Sequence, residues 1–285
     1  MFQQPDLMDN PDLPLQYAPY TQDDDIITGR RPLRPPFRIQ HLGVFFLSDL
    51  FSAEYMHDSE FVHRRRLATL CGNKELFFTG NRFDQWDLDV LLYCVRRSPA
   101  GNGGPERCQV KPAELLHAHN RRNNEKNRER VFTSLKRLSS AAICIEGKGY
   151  QYTTQLMNRV LVDARQEECL VEVNGDVTMA FRRNGLEQIM RERLPQGGNG
   201  LAKWLLGAAQ VYKGGFSSDL RSLYDLCRPK TKQKSQFIKR LEKALEQLEE
   251  NGILTWWEMD GHTVRAVPRS TPTRNMACGL LHRYR

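Results

Sequence analysis

Two clusters of side chains in this chain have the chemistry to hold and read a nucleic acid. The first is Arg121-Arg122-Asn123-Asn124, followed by Lys126, Arg130, Thr133 and Arg137; the second is Lys230, Lys232, Gln236, Lys239, Arg240 and Lys243. Arginine pairs bidentately with guanine edges and asparagine or glutamine with adenine edges, while lysine and threonine suit phosphate oxygens. A third candidate, His117-Ala118-His119, matches the His-hydrophobic-His pattern with which nicking initiators of rolling-circle replication hold a metal. That chemistry needs both histidines on one strand face. Here they follow Pro112-Ala113-Glu114-Leu115-Leu116 in a predicted helix, where residues i and i+2 point about 200 degrees apart.

Other catalytic and metal patterns are missing. Gly197-Gly198-Asn199-Gly200 runs into Leu201-Ala202-Lys203 and lacks the ending of a phosphate-binding loop. There is no H-E-x-x-H and no G-x-S-x-G, and the seven cysteines form no C-x-x-C pair. The expectation is a binding protein, neither an enzyme nor a holder of a cofactor or metal. Scattered cysteines without an export signal point to reduced thiols in a cytoplasm, and no apolar run reaches membrane-spanning length.

Charge supports a polyanionic partner. The net charge is +8, yet residues 1–25 hold six acids (Asp6, Asp9, Asp12, Asp23, Asp24, Asp25) and no Lys or Arg, which leaves +14 on the rest. Such an excess supplies sequence-independent attraction to phosphates.

The elements that must position the two clusters recur in one order. Asp84 is placed to cap a helix through Arg97 that buries Trp86, Val90, Leu91 and Cys94. A strand at Cys108–Val110, a helix over 112–119 opened by Pro112 and a polar turn over 120–124 lead to a helix over 125–139. Strands follow at 141–146 and 156–163, around a loop at Gly147-Lys148-Gly149. In the second half a helix over 184–194 connects to one over 200–212, which buries Leu201, Trp204, Leu205 and Ala208. Then come a strand at Phe216, a helix capped by Asp219, a basic turn over 228–232 and a helix over 234–251 stopped by Gly252. A hairpin turns at Asp260-Gly261. Helix, strand, helix, turn, basic helix, hairpin is the winged-helix plan, met twice.

Both basic helices are amphipathic. Val131, Leu135 and Leu138 form a buried stripe opposite Lys126, Arg130, Thr133 and Arg137; Phe237, Leu241, Leu245 and Leu248 lie opposite Lys232, Gln236, Lys239 and Lys243, with Arg240 on the flank. Positions 228–243 carry seven Lys or Arg and one acid, whereas Glu246, Glu249 and Glu250 crowd the far end. This gradient opposes the helix dipole and suits a helix that pushes its N-terminal half into a groove. Among the hairpin residues, Lys148 and Tyr150 in the first module and His262 and Arg265 in the second could reach a minor groove or phosphate, the alternative being a solvated hairpin.

The predicted class is α+β: two tandem winged-helix DNA-binding domains over residues 59–182 and 183–268. A flexible acidic, proline-rich arm covers 1–58, since 1–36 holds seven of the fourteen prolines, and a tail covers 269–285. Within the arm, VFFLSDLF (44–51) is apolar enough to dock on something.

The chain resembles the TrfA family of plasmid replication initiators. The resemblance is carried by FFTGNRFDQWDLDVLLYCVRR (77–97), SLKRLSSAAICI (134–145), LMNRVLVD (156–163) and KRLEKALEQLEENGIL (239–254). It implies monomers bound to direct repeats (iterons) at a plasmid origin, melting of an adjacent AT-rich region, and recruitment of host helicase and initiator. It also implies a monomer–dimer equilibrium that limits copy number. The family engages the host β sliding clamp through a short N-terminal peptide; Gln4-Pro5-Asp6-Leu7-Met8 agrees with it at Gln4, Asp6 and Leu7, with Met8 in place of an aromatic. The alternatives are a winged-helix transcriptional regulator and, from His117 and His119, a nicking initiator.

Overall fold

The computed structural model describes residues 42–55, 60–69, 75–99, 106–147, 150–163, 168–212, 214–227 and 233–269. It opens with α1 (Leu42–Phe46) and β1 (Phe51–Ser52), followed by β2 (Phe61–Arg66), β3 (Glu75–Asn81) and β4 (Phe83–Asp84). Helix α2 (Gln85–Arg97) starts where Asp84 closes a capping box: its carboxylate accepts from Trp86 N at 2.8 Å, and its own N–H donates to Asp87 at 2.9 Å. Strand β5 (Glu106–Val110), α3 (Pro112–Ala118) and α4 (Glu125–Ser140) follow, then β6 (Ala142–Gly147), β7 (Tyr150–Gln155), β8 (Met157–Asp163) and β9 (Glu168–Val173). Helices α5 (Gly175–Arg183) and α6 (Leu186–Arg193) are separated by Gly185, which takes a left-handed φ of 82°. The second half runs α7 (Gly200–Val211), β10 (Phe216–Asp219), α8 (Leu220–Cys227), α9 (Lys234–Glu250), β11 (Leu254–Met259) and β12 (Thr263–Pro268).

The repeated order is present, with one correction. Strand β6 does not pair with β8: it pairs with β7 across residues 147–150 and with β3, making a four-stranded sheet β2-β3-β6-β7. The hairpin that pairs with β5 is β8–β9, in the order β5-β9-β8. The second half has the same antiparallel order, β10-β12-β11. A register shift even falls at the start of the first hairpin strand in both sheets, at Met157/Arg159 and at Leu254/Trp256. The inserted β6–β7 hairpin was hidden because its strands and β8 form one run of strand-forming residues.

A second correction concerns the arm. Residues 42–55 are part of the folded body and fall in the same compact unit as the other described residues. Leu42, Val44, Phe45, Phe46, Leu50 and Phe51 belong to one core cluster, while Leu47 and Ala53 belong to a second. The segment is too apolar to remain in water and fills the seam between the two cores. The fit is close: a Cβ on Gly207 of α7 would sit 2.7 Å from the Phe46 ring. Helix α6, expected to begin the second domain, contributes Leu186 and Ile189 to the first core. Residues 1–41 and the tail from Ser270 lie outside the described residues, and with them the proposed clamp peptide Gln4, Asp6, Leu7 and Met8. Among the described residues no helix is long and apolar enough to cross a membrane.

Candidate nucleic-acid interface

Helix α4 buries Val131, Leu135 and Leu138, and Asn124 caps its start by accepting from Asn127 N at 2.9 Å. The cap commits one of the asparagines expected to read bases. Asn123 accepts from Arg128 at 2.7 Å, so the polar turn also organises itself. Arg122, Asn123, Asn124, Lys126 and Thr133 are exposed.

The arginines on the same helix behave differently from the expectation. Arg137 is buried and donates to Asp87 at 2.7 Å, a carboxylate that also accepts from Ser134 at 2.5 Å. It is therefore a structural ion pair joining α4 to the start of α2, and it is withdrawn from the outward face. The reason is packing: α4 is contacted by α2 on the side that periodicity alone leaves to solvent. Burial, and then the neighbouring Asp84, push the Asp87 carboxyl up to about 7, against the opposite pull of Arg137 and Ser134.

Arg130 is half-buried. Its guanidinium lies 3.7 Å from the Tyr55 ring centroid and 5.1 Å from that of Trp86. Arg121 covers Trp86 as well, at 4.6 Å. Among the described residues, the buried Trp86 Nε1, Arg130 Nε and His119 Nε2 make no hydrogen bond. Burial holds Arg130 and His119 below their ordinary pKa values. His117 lies in helix α3 and His119 caps it, packed edge-on against Trp86 at 5.6 Å between centroids. One histidine is thus in the helix and the other at its C-terminal cap, so they do not share a strand face.

Helix α9 buries Phe237, Leu241, Ala244, Leu245 and Leu248, while Gln236, Lys239, Arg240 and Lys243 are exposed. Arg240 forms an ion pair with Glu54. Lys230 and Lys232, which precede the helix in sequence, lie outside the described residues. Gly252 has the left-handed φ of 68° expected of its stop position. The partners that sequence reasoning missed are Glu54, Tyr55, Trp86 and Asp87. Only Trp86 and Asp87 carried a local signal, through the Asp84 cap.

The described fold resembles two crystal structures of domains 2 and 3 of RctB. The selenomethionine form superposes with a TM-score of 0.55 at 10% identity, over 80% of this chain and 96% of that one. A structure of RctB residues 155–483 gives 0.53 at 11% identity, over 78% and 96%. No protein-family model and no curated protein sequence matches the chain. At this identity the likeness is one of fold. At about four-fifths coverage the likeness spans both halves of the mixed α/β fold.

Proposed function

We propose that this chain is a replication initiator of the plasmid type, built as two winged-helix modules whose basic helices α4 and α9 enter the major groove of double-stranded DNA. The observation that carries the reading is the doubled plan: each helix is third in the same order, and each is followed by a hairpin in the same sheet order. Lys239 and Lys243 contact phosphates, Gln236 reads a base edge, and Lys126 with Thr133 serve in the first module. Lys230 and Lys232 would lead into the groove ahead of α9. The chain acts by binding and deforming DNA, without catalysis.

The likeness to RctB domains 2 and 3, together with the TrfA-like motifs, favours replication over transcription. On this reading the chain binds iterons, opens an AT-rich flank and recruits host helicase and initiator. Leu7 and Met8 dock on the host β clamp. Leu161 and Leu170, exposed cross-strand partners of β8 and β9, supply apolar area for the inactive dimer. The setting is bacterial, in the cytoplasm on plasmid DNA.

Footprinting of the parent replicon tests the proposal. Protected direct repeats beside an AT-rich stretch are expected. A protected isolated inverted repeat would favour the transcriptional regulator, and strand cleavage lost on changing His117 or His119 would favour a nicking enzyme. Leu7→Ala with Met8→Ala should abolish clamp pull-down and spare DNA binding.

A further inference from the structure

The two basic helices are held by neighbouring residues of one short segment. Tyr55 stacks on Arg130 of α4 at 3.7 Å, and Glu54, the residue before it, pairs with Arg240 of α9. Adjacent Cα atoms are about 3.8 Å apart, so side chains from both helices converge on a single dipeptide.

The backbone of that segment is fixed on both sides. Gln85 Nε2, at the start of α2, donates to Phe51 O at 2.8 Å. Ala53 N donates to Cys227 O, at the end of α8, at 3.2 Å, and Ser52 Oγ reaches the same carbonyl at 3.5 Å. The Ala53 carbonyl presses on Gly200 of α7, where a Cβ would fall 2.0 Å from its oxygen. Glu54 itself is mostly buried, with 15% of its side chain exposed against 47% for Arg240, so the carboxylate is the fixed member of the pair. Phe51 and Ala53 belong to different cores, so movement of the segment would disturb both.

We infer that Phe51–Tyr55 is a rigid spacer that sets the separation of α4 and α9, with Glu54 and Tyr55 as positioning residues, so that the chain accepts one spacing between the two half-sites it reads. The inference rests on the proposed duplex-DNA function. A one-base-pair change moves a half-site by about 3.4 Å and rotates it by roughly 35 degrees, on the order of one-tenth of a helical turn. A rigid pair of helices cannot follow that shift, and a loosened pair can.

The test uses the full chain and fluorescein-labelled duplexes carrying the footprinted repeat, with one or two base pairs inserted or removed between the half-sites. Wild type should lose affinity at least tenfold on either change. Glu54→Gln, which keeps side-chain volume, with Tyr55→Leu, which removes the ring, should cut that penalty at least threefold, and Tyr55→Phe, which keeps the stack, should leave it unchanged. The two single variants are measured as well, so the result stands even if the double variant fails to fold; each should lower the penalty. If wild type binds no duplex, the DNA reading itself is wrong. If wild type binds and tolerates every spacing, or both folded single variants keep its full penalty, the spacer is overturned.

Discussion

Lys203 of α7 donates to Asp89 of α2 at 2.5 Å, across 114 residues of sequence. Arg193 of α6 donates to the other carboxylate oxygen at 2.9 Å, and all three groups are buried. Arg193 also reaches the Gln85 carbonyl at 3.2 Å and its side-chain oxygen at 3.0 Å. This ion cluster ties the first repeated unit to the second. Removing the single anion leaves two buried cations, so Asp89→Ala should cost about 3–5 kcal/mol in urea unfolding. Lys203→Met leaves the Asp89–Arg193 pair in place and should cost clearly less. Equal losses would mean that Lys203 carries the joint alone.

The same cluster predicts acid sensitivity. Burial would raise the Asp89 pKa, but Arg193 and Lys203 outweigh it and hold the carboxyl at about 2. A folded pKa below the unfolded one contributes stability above about pH 4, and that stability is lost as pH falls toward 2. The contribution is about 2 kcal/mol. Unfolding free energies measured between pH 5 and 2 should therefore fall more steeply for wild type than for Asp89→Asn.

Asp87, two residues away, acts in the opposite direction. Its folded pKa of about 7 lies above the unfolded value, so the folded chain binds the extra proton between about pH 4 and 7. Its contribution is present below pH 4 and is lost as pH rises through 7. Asp87→Asn should flatten that upper slope. A wild-type slope that survives the substitution would assign it to another group.

The features legible in the sequence were those fixed within a few residues. Asp84 caps α2, Asp219 accepts from Ser222 N at 2.8 Å, and Asp260 turns the last hairpin by accepting from Thr263 N at 2.8 Å. The buried stripes of α4 and α9 were equally local. Arg137 was misread because its partner Asp87 lies 50 residues away and a second helix covers its face of α4. Tyr55 and Glu54 lie 75 and 186 residues before the arginines they hold, and no periodicity links them. The β6–β7 insertion escaped for a related reason: strand propensity marks a strand without naming its partner.

Gly200 and Gly198 offer a matched pair for the seam. A methyl on Gly200 meets the Ala53 backbone, which cannot swing aside, whereas one on Gly198 has nothing within 4 Å. Gly200→Ala should destabilise by about 1–3 kcal/mol or more, as overpacking does. Gly198→Ala should be within about 0.5 kcal/mol of wild type. Equal melting temperatures for the two variants would show that the segment yields.

Arg137 and Lys239 separate fold from DNA contact, although both were expected on the DNA face. Arg137→Ala leaves the buried Asp87 without its cation and should cost about 1–3 kcal/mol in stability, most of it above pH 7 where the carboxyl is ionised. Lys239→Ala and Lys243→Ala remove exposed charges and should leave stability within about 0.5 kcal/mol. Each should lower the slope of log affinity against log salt by roughly one unit, because one phosphate contact and its released counterions are lost. Gln236→Ala should leave the slope alone and relax preference at one base position by about 1–3 kcal/mol. Titrations at several salt concentrations, against the footprinted duplex and single-base variants of it, distinguish these cases. An unchanged slope for both lysines, with an unchanged base preference for Gln236→Ala, would remove α9 from the interface and leave α4 to carry recognition through Lys126 and Thr133.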